Sequence, residues 1–208
     1  MKVQQIVQEV FQNMGKMYES IFQSYYPSHK SNGFTERNLT FYFSHYYLKN
    51  ANNLSDIIIW QEVPIDGGEH FDTLIIDSAN KKIFIIEAKR LQNDKKRKSI
   101  ENDLIRILQR FNEISDITKF IGYQKFALLL ADIWIPEKRK KKKNDLKDNF
   151  INLCSISVDF VQNNIVKIES MANKSKEEYL IMYNLYEIDE ILKNYSIQDD
   201  SIIRKTLL

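Results

Sequence analysis

Along residues 3–25 apolar side chains return every three or four positions, at Val3, Ile6, Val7, Val10, Met14, Met17, Ile21 and Tyr25. That spacing predicts an amphipathic helix. Its stripe packs on the core in the plainer reading and forms a dimer contact in the sharper one. Past the Asn32-Gly33 turn, Thr35 is placed to cap a second helix through about Lys49, its hydroxyl accepting from orphan amides. Leu39, Phe43 and Tyr47 form the stripe of that helix, and Glu36 extends it by one turn. Glu36 should therefore face the body of the protein.

The period then shortens. Ile57–Ile65 is rich in β-branched residues and ends at the turn signal Asp66-Gly67-Gly68. Phe71–Asp77 and Lys82–Lys89 are two more strand-like runs, joined by Ser78-Ala79-Asn80-Lys81. A third helix is expected from about Asn93 to Phe120, with Ile100, Leu104, Ile107, Leu108, Phe111 and Ile114 inward. Its other face carries Lys95, Lys96, Arg97, Arg106 and Arg110. Lys125–Trp134 is apolar on both faces and reads as a buried strand stopped by Pro136.

Beyond it, a basic loop leads to the apolar segment Ile151–Phe160, an Asn163-Asn164 turn and the run Ile165–Ile168. Glu178–Ile188 follows as a last strand and Asp189–Tyr195 as a terminal helix. The order argues for an α/β fold with a mixed central sheet flanked by helices and extra C-terminal strands. The 208 residues are read as a single domain: an N-terminal helix and turn (1–33), a core (34–134) and an extension (135–208).

Composition adds limits. The 43% hydrophobic and 28% charged residues are those of a globular protein, which excludes a disordered chain. Cys154 is the one cysteine, at a buried strand position by its neighbours, so no internal disulfide forms and a reducing compartment fits. No run reaches the ~20 apolar residues of a membrane span, and the N-terminus lacks the apolar stretch of a signal peptide. A cytoplasmic location without membrane association is expected. Net charge is only +2, but two blocks, Lys95–Lys98 and Lys138–Lys143, concentrate cations. Such blocks are either solvated loops and helix ends or contacts for nucleic acid.

Three charges stand out within the apolar runs: Asp72, Glu87 and Lys89. A hairpin loop of two or four residues centred on Ala79-Asn80 puts Asp77 opposite Lys82 and Asp72 opposite Glu87. Alternation then brings Lys89 to the face of Glu87. Opposed carboxylates repel by about 0.2–1 kcal/mol even when exposed, and by more when partly desolvated. Lys89 supplies one compensating charge and a divalent ion would supply the rest. Hard oxygen donors select Mg²⁺ or Mn²⁺ over zinc. In the plainer alternative both acids end their strands in water, one of them paired with Lys89.

Asp72, then Glu87-Ala88-Lys89 ending an apolar strand, with Glu36 on a preceding helix, resembles the PD-(D/E)xK nuclease superfamily. The order helix, three strands, helix, strand over roughly residues 34–134 is similar to its restriction-endonuclease-like core. Phe71 stands where that family often has proline, and nothing after residue 134 has a counterpart in the core.

The resemblance implies that Asp72, Glu87, the Ala88 carbonyl and, directly or through water, Glu36 hold the metal. Lys89 would orient or help deprotonate the attacking water and stabilise the phosphate. It also suggests a polar active-site role for Gln109, while Glu62 is a reserve ligand and His70, beside Asp72, a group that could act on substrate. Lys95, Lys96, Arg97, Lys98, Arg106 and Arg110 would line the approach of nucleic acid. His29, His45, Arg37 and the tyrosines Tyr25, Tyr26 and Tyr123 are read as structural or solvated.

The function implied is a metal-dependent nuclease, a DNA endonuclease in restriction or phage defence, with DNA favoured over RNA and a homodimer as one assembly. The competing readings are a non-catalytic nucleic-acid-binding or assembly module with the same fold, and a structural protein dimerising through residues 3–25. A self-repelling acid pair has a use in the first and none in the others.

Overall fold

The structure is a computed structural model that describes residues 2–25, 35–51, 53–114, 117–153, 161–169 and 177–195. The Asn32-Gly33 turn, Tyr26, His29, Cys154 and most of the segment Ile151–Phe160 lie outside those residues. The elements are α1 (Val3–Tyr25), α2 (Glu36–Lys49), β1 (Ile57–Pro64), β2 (His70–Asp77), β3 (Lys82–Arg90) and α3 (Asp94–Arg110). After them come β4 (Gln124–Pro136), α4 (Lys140–Ile151), β5 (Val161–Lys167), β6 (Glu177–Glu187) and α5 (Ile188–Tyr195). The chain is α/β, with one mixed six-stranded sheet in the order β1-β2-β3-β4-β6-β5. Only β3 and β4 are parallel, joined by the α3 crossover; every other pair is antiparallel.

Two apolar layers flank the sheet. On one side α1 and α2 pack Val7, Phe11, Met14, Phe22, Leu39 and Phe43 against Ile75, Phe84, Phe126 and Tyr183. On the other, α3, α4 and α5 pack Ile100, Leu104, Ile107, Phe150 and Ile191 against Leu74, Ile85, Ala127 and Leu129. Most of the stripe of α1 is thus packed on the core, as the plainer reading of residues 3–25 expects. β3 and β4 are apolar on both faces because each face has its own layer to bury against.

Several expectations change in detail. The expected helix over Asn93–Phe120 ends at Arg110, and short 3₁₀ turns follow at Phe111–Glu113 and Ile117–Phe120. The basic run is no loop: Lys140–Ile151 is helical because Leu146 and Phe150 give it an inward side. Asn163-Asn164 lies within β5, where pairing with β6 overrides the turn preference of asparagine. Thr35 is the N-cap of α2 and forms a capping box with Asn38, whose Oδ1 accepts from the Thr35 N–H at 2.8 Å and lies 3.1 Å from the Thr35 hydroxyl.

Gly15 of α1 lies close against β5, since a Cβ there would come 2.5 Å from Val166 Cγ1. Val166 is β-branched and has no second rotamer to retreat into cheaply. Gly15→Val is therefore expected to destabilise the fold by about 1–3 kcal/mol through overpacking, read as a lower denaturant midpoint at unchanged slope.

Candidate active site

The β2–β3 hairpin has a four-residue loop, and its register runs from Asp77↔Lys82 to Thr73↔Ile86, as the sequence analysis requires. There the ladder stops. Asp72 does not continue it with a backbone bond; its carboxylate Oδ2 accepts the Ala88 N–H at 2.9 Å. The side chain thus replaces one rung and lets β2 part from β3. A strand residue turns its N–H and C=O to the same neighbour, so the Ala88 carbonyl opens on the same gap.

Glu87, almost fully buried at 1% side-chain exposure, faces α3. Its Oε1 accepts from Arg106 at 2.6 Å, and its Oε2 lies 3.8 Å from Lys89 Nζ, too far for a hydrogen bond. Lys89 instead pairs with Asp103 of α3 at 3.0 Å, and Arg106 reaches Asp103 at 3.2 Å. Asp72, Glu87 and Asp103 with Lys89 and Arg106 thus form one electrostatically linked group of three carboxylates and two cations, one negative charge in excess if all are ionised.

The electrostatics follow from that excess. Burial, with Asp72 and Asp103 adding repulsion, pushes the Glu87 carboxyl up to about 9, although Arg106 and Lys89 pull the other way. Burial also raises Asp103, even against the pull of Lys89 and Arg106. Lys89 is held protonated: burial opposes its charge, but Asp103, Glu87 and Asp72 outweigh that cost.

Asp103 was missed in the sequence. The signal was there: it stands three residues after Ile100 and four before Ile107, inside the apolar stripe of α3. An acid at such a position faces the core and needs a partner.

The other expected residues distribute as follows. Glu36 does face the body, but its Oε1 accepts from Arg90 N–H at 3.1 Å and pairs with Lys96 at 3.1 Å. It holds the end of β3 to α3. Arg90 in turn pairs through two nitrogens with buried Asp132, whose Oδ2 also accepts from the Tyr179 hydroxyl at 2.6 Å.

Glu62 has a positive φ of 55° on the edge strand and turns to His70 at 2.7 Å and Arg37 at 3.4 Å. Glu62 and His70 therefore partner each other outside the Glu87 cluster. Arg106 points inward, and Arg110 is taken up by Glu69, Glu113 and the Asp66 carbonyl. Arg97 pairs with Glu101 on its own helix. Lys95 and Lys98 are exposed. Gln109 lies on α3 and makes none of the site contacts described above.

Among the described residues no three His, Cys, Asp or Glu side chains converge as a ready metal cluster. The donor chemistry of Asp72, Glu87 and the Ala88 carbonyl still fits a hard divalent ion. All three are oxygens, and a cation would relieve the burial and the acid repulsion that together raise Glu87. The chain matches no family model, no curated protein and no solved structure in the comparisons with known proteins.

A carboxyl whose folded pKa lies above its unfolded value of 4.5 binds a proton the unfolded chain has released, so it costs stability as pH climbs. For Glu87 the cost is absent below about 4.5 and complete above about 9. Glu87→Gln cannot ionise. In chelator, its melting temperature should gain on the wild type steadily from about pH 5 to about pH 9. A constant offset across that range would contradict the assigned burial.

Proposed function

We propose that the chain is a metal-dependent nuclease of the PD-(D/E)xK type, hydrolysing phosphodiester bonds as a DNA endonuclease. The observation that carries this reading is the buried, mutually repelling pair Asp72 and Glu87 beside a protonated Lys89. A purely structural site gains nothing from it, because burying like charges costs stability.

Asp72, Glu87 and the Ala88 carbonyl would hold Mg²⁺ or Mn²⁺. When bound, the ion supplies Lewis-acid charge at the phosphate and makes an attacking water more acidic. Lys89, charged and fixed by Asp103 at 3.0 Å, is placed to orient that water and to stabilise negative charge on the phosphate. Arg106 neutralises Glu87 from the α3 side and sets its orientation through the 2.6 Å bond. Glu36 acts at one remove: by accepting the Arg90 N–H it fixes the backbone one residue past Lys89. Asp103 adds to the motif an anchor that keeps the lysine aimed.

Plasmid, linear and single-stranded DNA and RNA, each incubated with Mg²⁺, Mn²⁺ or chelator, test the reading. Cleavage should require the metal. Asp72→Asn and Lys89→Ala should each lower the rate by about 100-fold or more with the fold intact by circular dichroism. Cleavage that survives both substitutions removes the site. Salt-sensitive binding without any cleavage assigns the chain to the non-catalytic module instead.

A further inference from the structure

The second basic block, Lys138–Lys143, has no part in the site above, yet the fold brings it to the same end of the sheet. β3 and β4 are parallel, so Lys89 at the end of β3 and Pro136 at the end of β4 leave the sheet on one side. The chain turns there into α4. The Lys143 ammonium then reaches back to the carbonyls of Leu91 (3.2 Å) and Gln92 (2.8 Å), the two residues that follow Arg90. These bonds fasten the basic helix to the connection between β3 and α3. That connection leads directly to Lys95 and Lys98.

The remaining cations of the block face outward. Lys140 pairs with Glu178 at 3.2 Å. Lys138, Arg139, Lys141 and Lys142 are exposed and make no ion pair among the described residues. An exposed concavity of about 520 Å³ on α3, lined by Asp94, Lys95, Lys98, Ser99 and Asn102, carries two further cations just past that connection. The chain as a whole carries only +2, so this density is local.

From these contacts we propose that Lys138 and Arg139 in the 3₁₀ turn before α4 and Lys141 and Lys142 on α4, together with Lys95 and Lys98 on α3, form a track for the phosphate backbone of nucleic acid. The track flanks the Asp72–Glu87 site. The choice of nucleic acid as the polyanion rests on the nuclease reading and on the surface itself. A membrane-binding helix presents an apolar face to insert, whereas Leu146 and Phe150 of α4 are buried against the sheet and its one other apolar residue, Ile151, is half-buried at its last position. What remains outward is charge spaced along a helix, which suits counterion release from a repeating phosphate chain.

Binding is measured with Asp72→Asn in chelator, so that no cleavage intervenes, on a short labelled duplex over a range of salt concentrations. Replacing Lys138, Arg139, Lys141 and Lys142 by Gln together should weaken binding about tenfold or more and reduce the salt slope by about 2–4. A control variant with Lys16, Lys49 and Lys81 changed to Gln should leave both quantities unchanged. Thermal melts of both variants confirm the fold.

Unchanged affinity and slope in the α4 variant, or an equal loss in the control, overturns the track. Co-sedimentation of wild type with phosphatidylserine vesicles but no duplex binding also overturns it. Duplex binding that depends on α4 in a wild type that never cleaves keeps the track and removes the nuclease. Cleavage with KM unchanged by the α4 substitutions does the reverse.

Discussion

One hydrogen bond sets the site. The Asp72 carboxylate accepts the Ala88 N–H in place of the next backbone rung, and β2 leaves β3 at that point. Everything charged nearby depends on the gap this opens. Without it, Glu87 and Lys89 would sit beneath a continuous sheet packed against α3. With it, the end of β3 carries oxygens and an ammonium group at the boundary of the core.

The cost of that arrangement is visible in Glu87, raised to about 9 by burial and by Asp72 and Asp103. Fold and charge are arranged to contain it. α3 supplies Asp103 and Arg106 from the turns that also bury Ile100, Leu104 and Ile107. α2 supplies Glu36, which holds the Arg90 backbone, and β4 supplies Asp132, which holds the Arg90 side chain. α4 adds Lys143 on the two residues beyond. Four elements thus fasten the four residues from Lys89 to Gln92.

Much of the scaffold was legible in the sequence because its signals are local. The three-and-four spacing of α1 and α2, the β-branched runs of β1 to β3 and the doubly apolar β4 each announce their own geometry. Register could be derived because the hairpin loop has an even number of residues. Misreadings came where a local preference met a tertiary partner. Asn163-Asn164 reads as a turn but pairs within β5. Lys138–Lys143 reads as a solvated loop, yet Leu146 and Phe150 further along give it a core to fold onto. Arg106, counted among surface cations, turns inward because Glu87 and Asp103 offer it more than water does.

The sequence by itself determined the kinds and order of the elements from α1 to β4, the hairpin register and the presence of Asp72, Glu87 and Lys89 near one strand end. These follow from periodicity and from short-range geometry, which neighbouring residues carry between them. Only the tertiary structure decided that Asp103 holds Lys89, that Glu36 serves Arg90, and that Lys143 of the basic helix α4 bonds the connection after β3. Those contacts join residues far apart in the chain through α2, α3 and α4, which pack against the end of β3 from different directions. A side chain's partner across such a contact depends on how the helix packs, and no local pattern encodes that rotation.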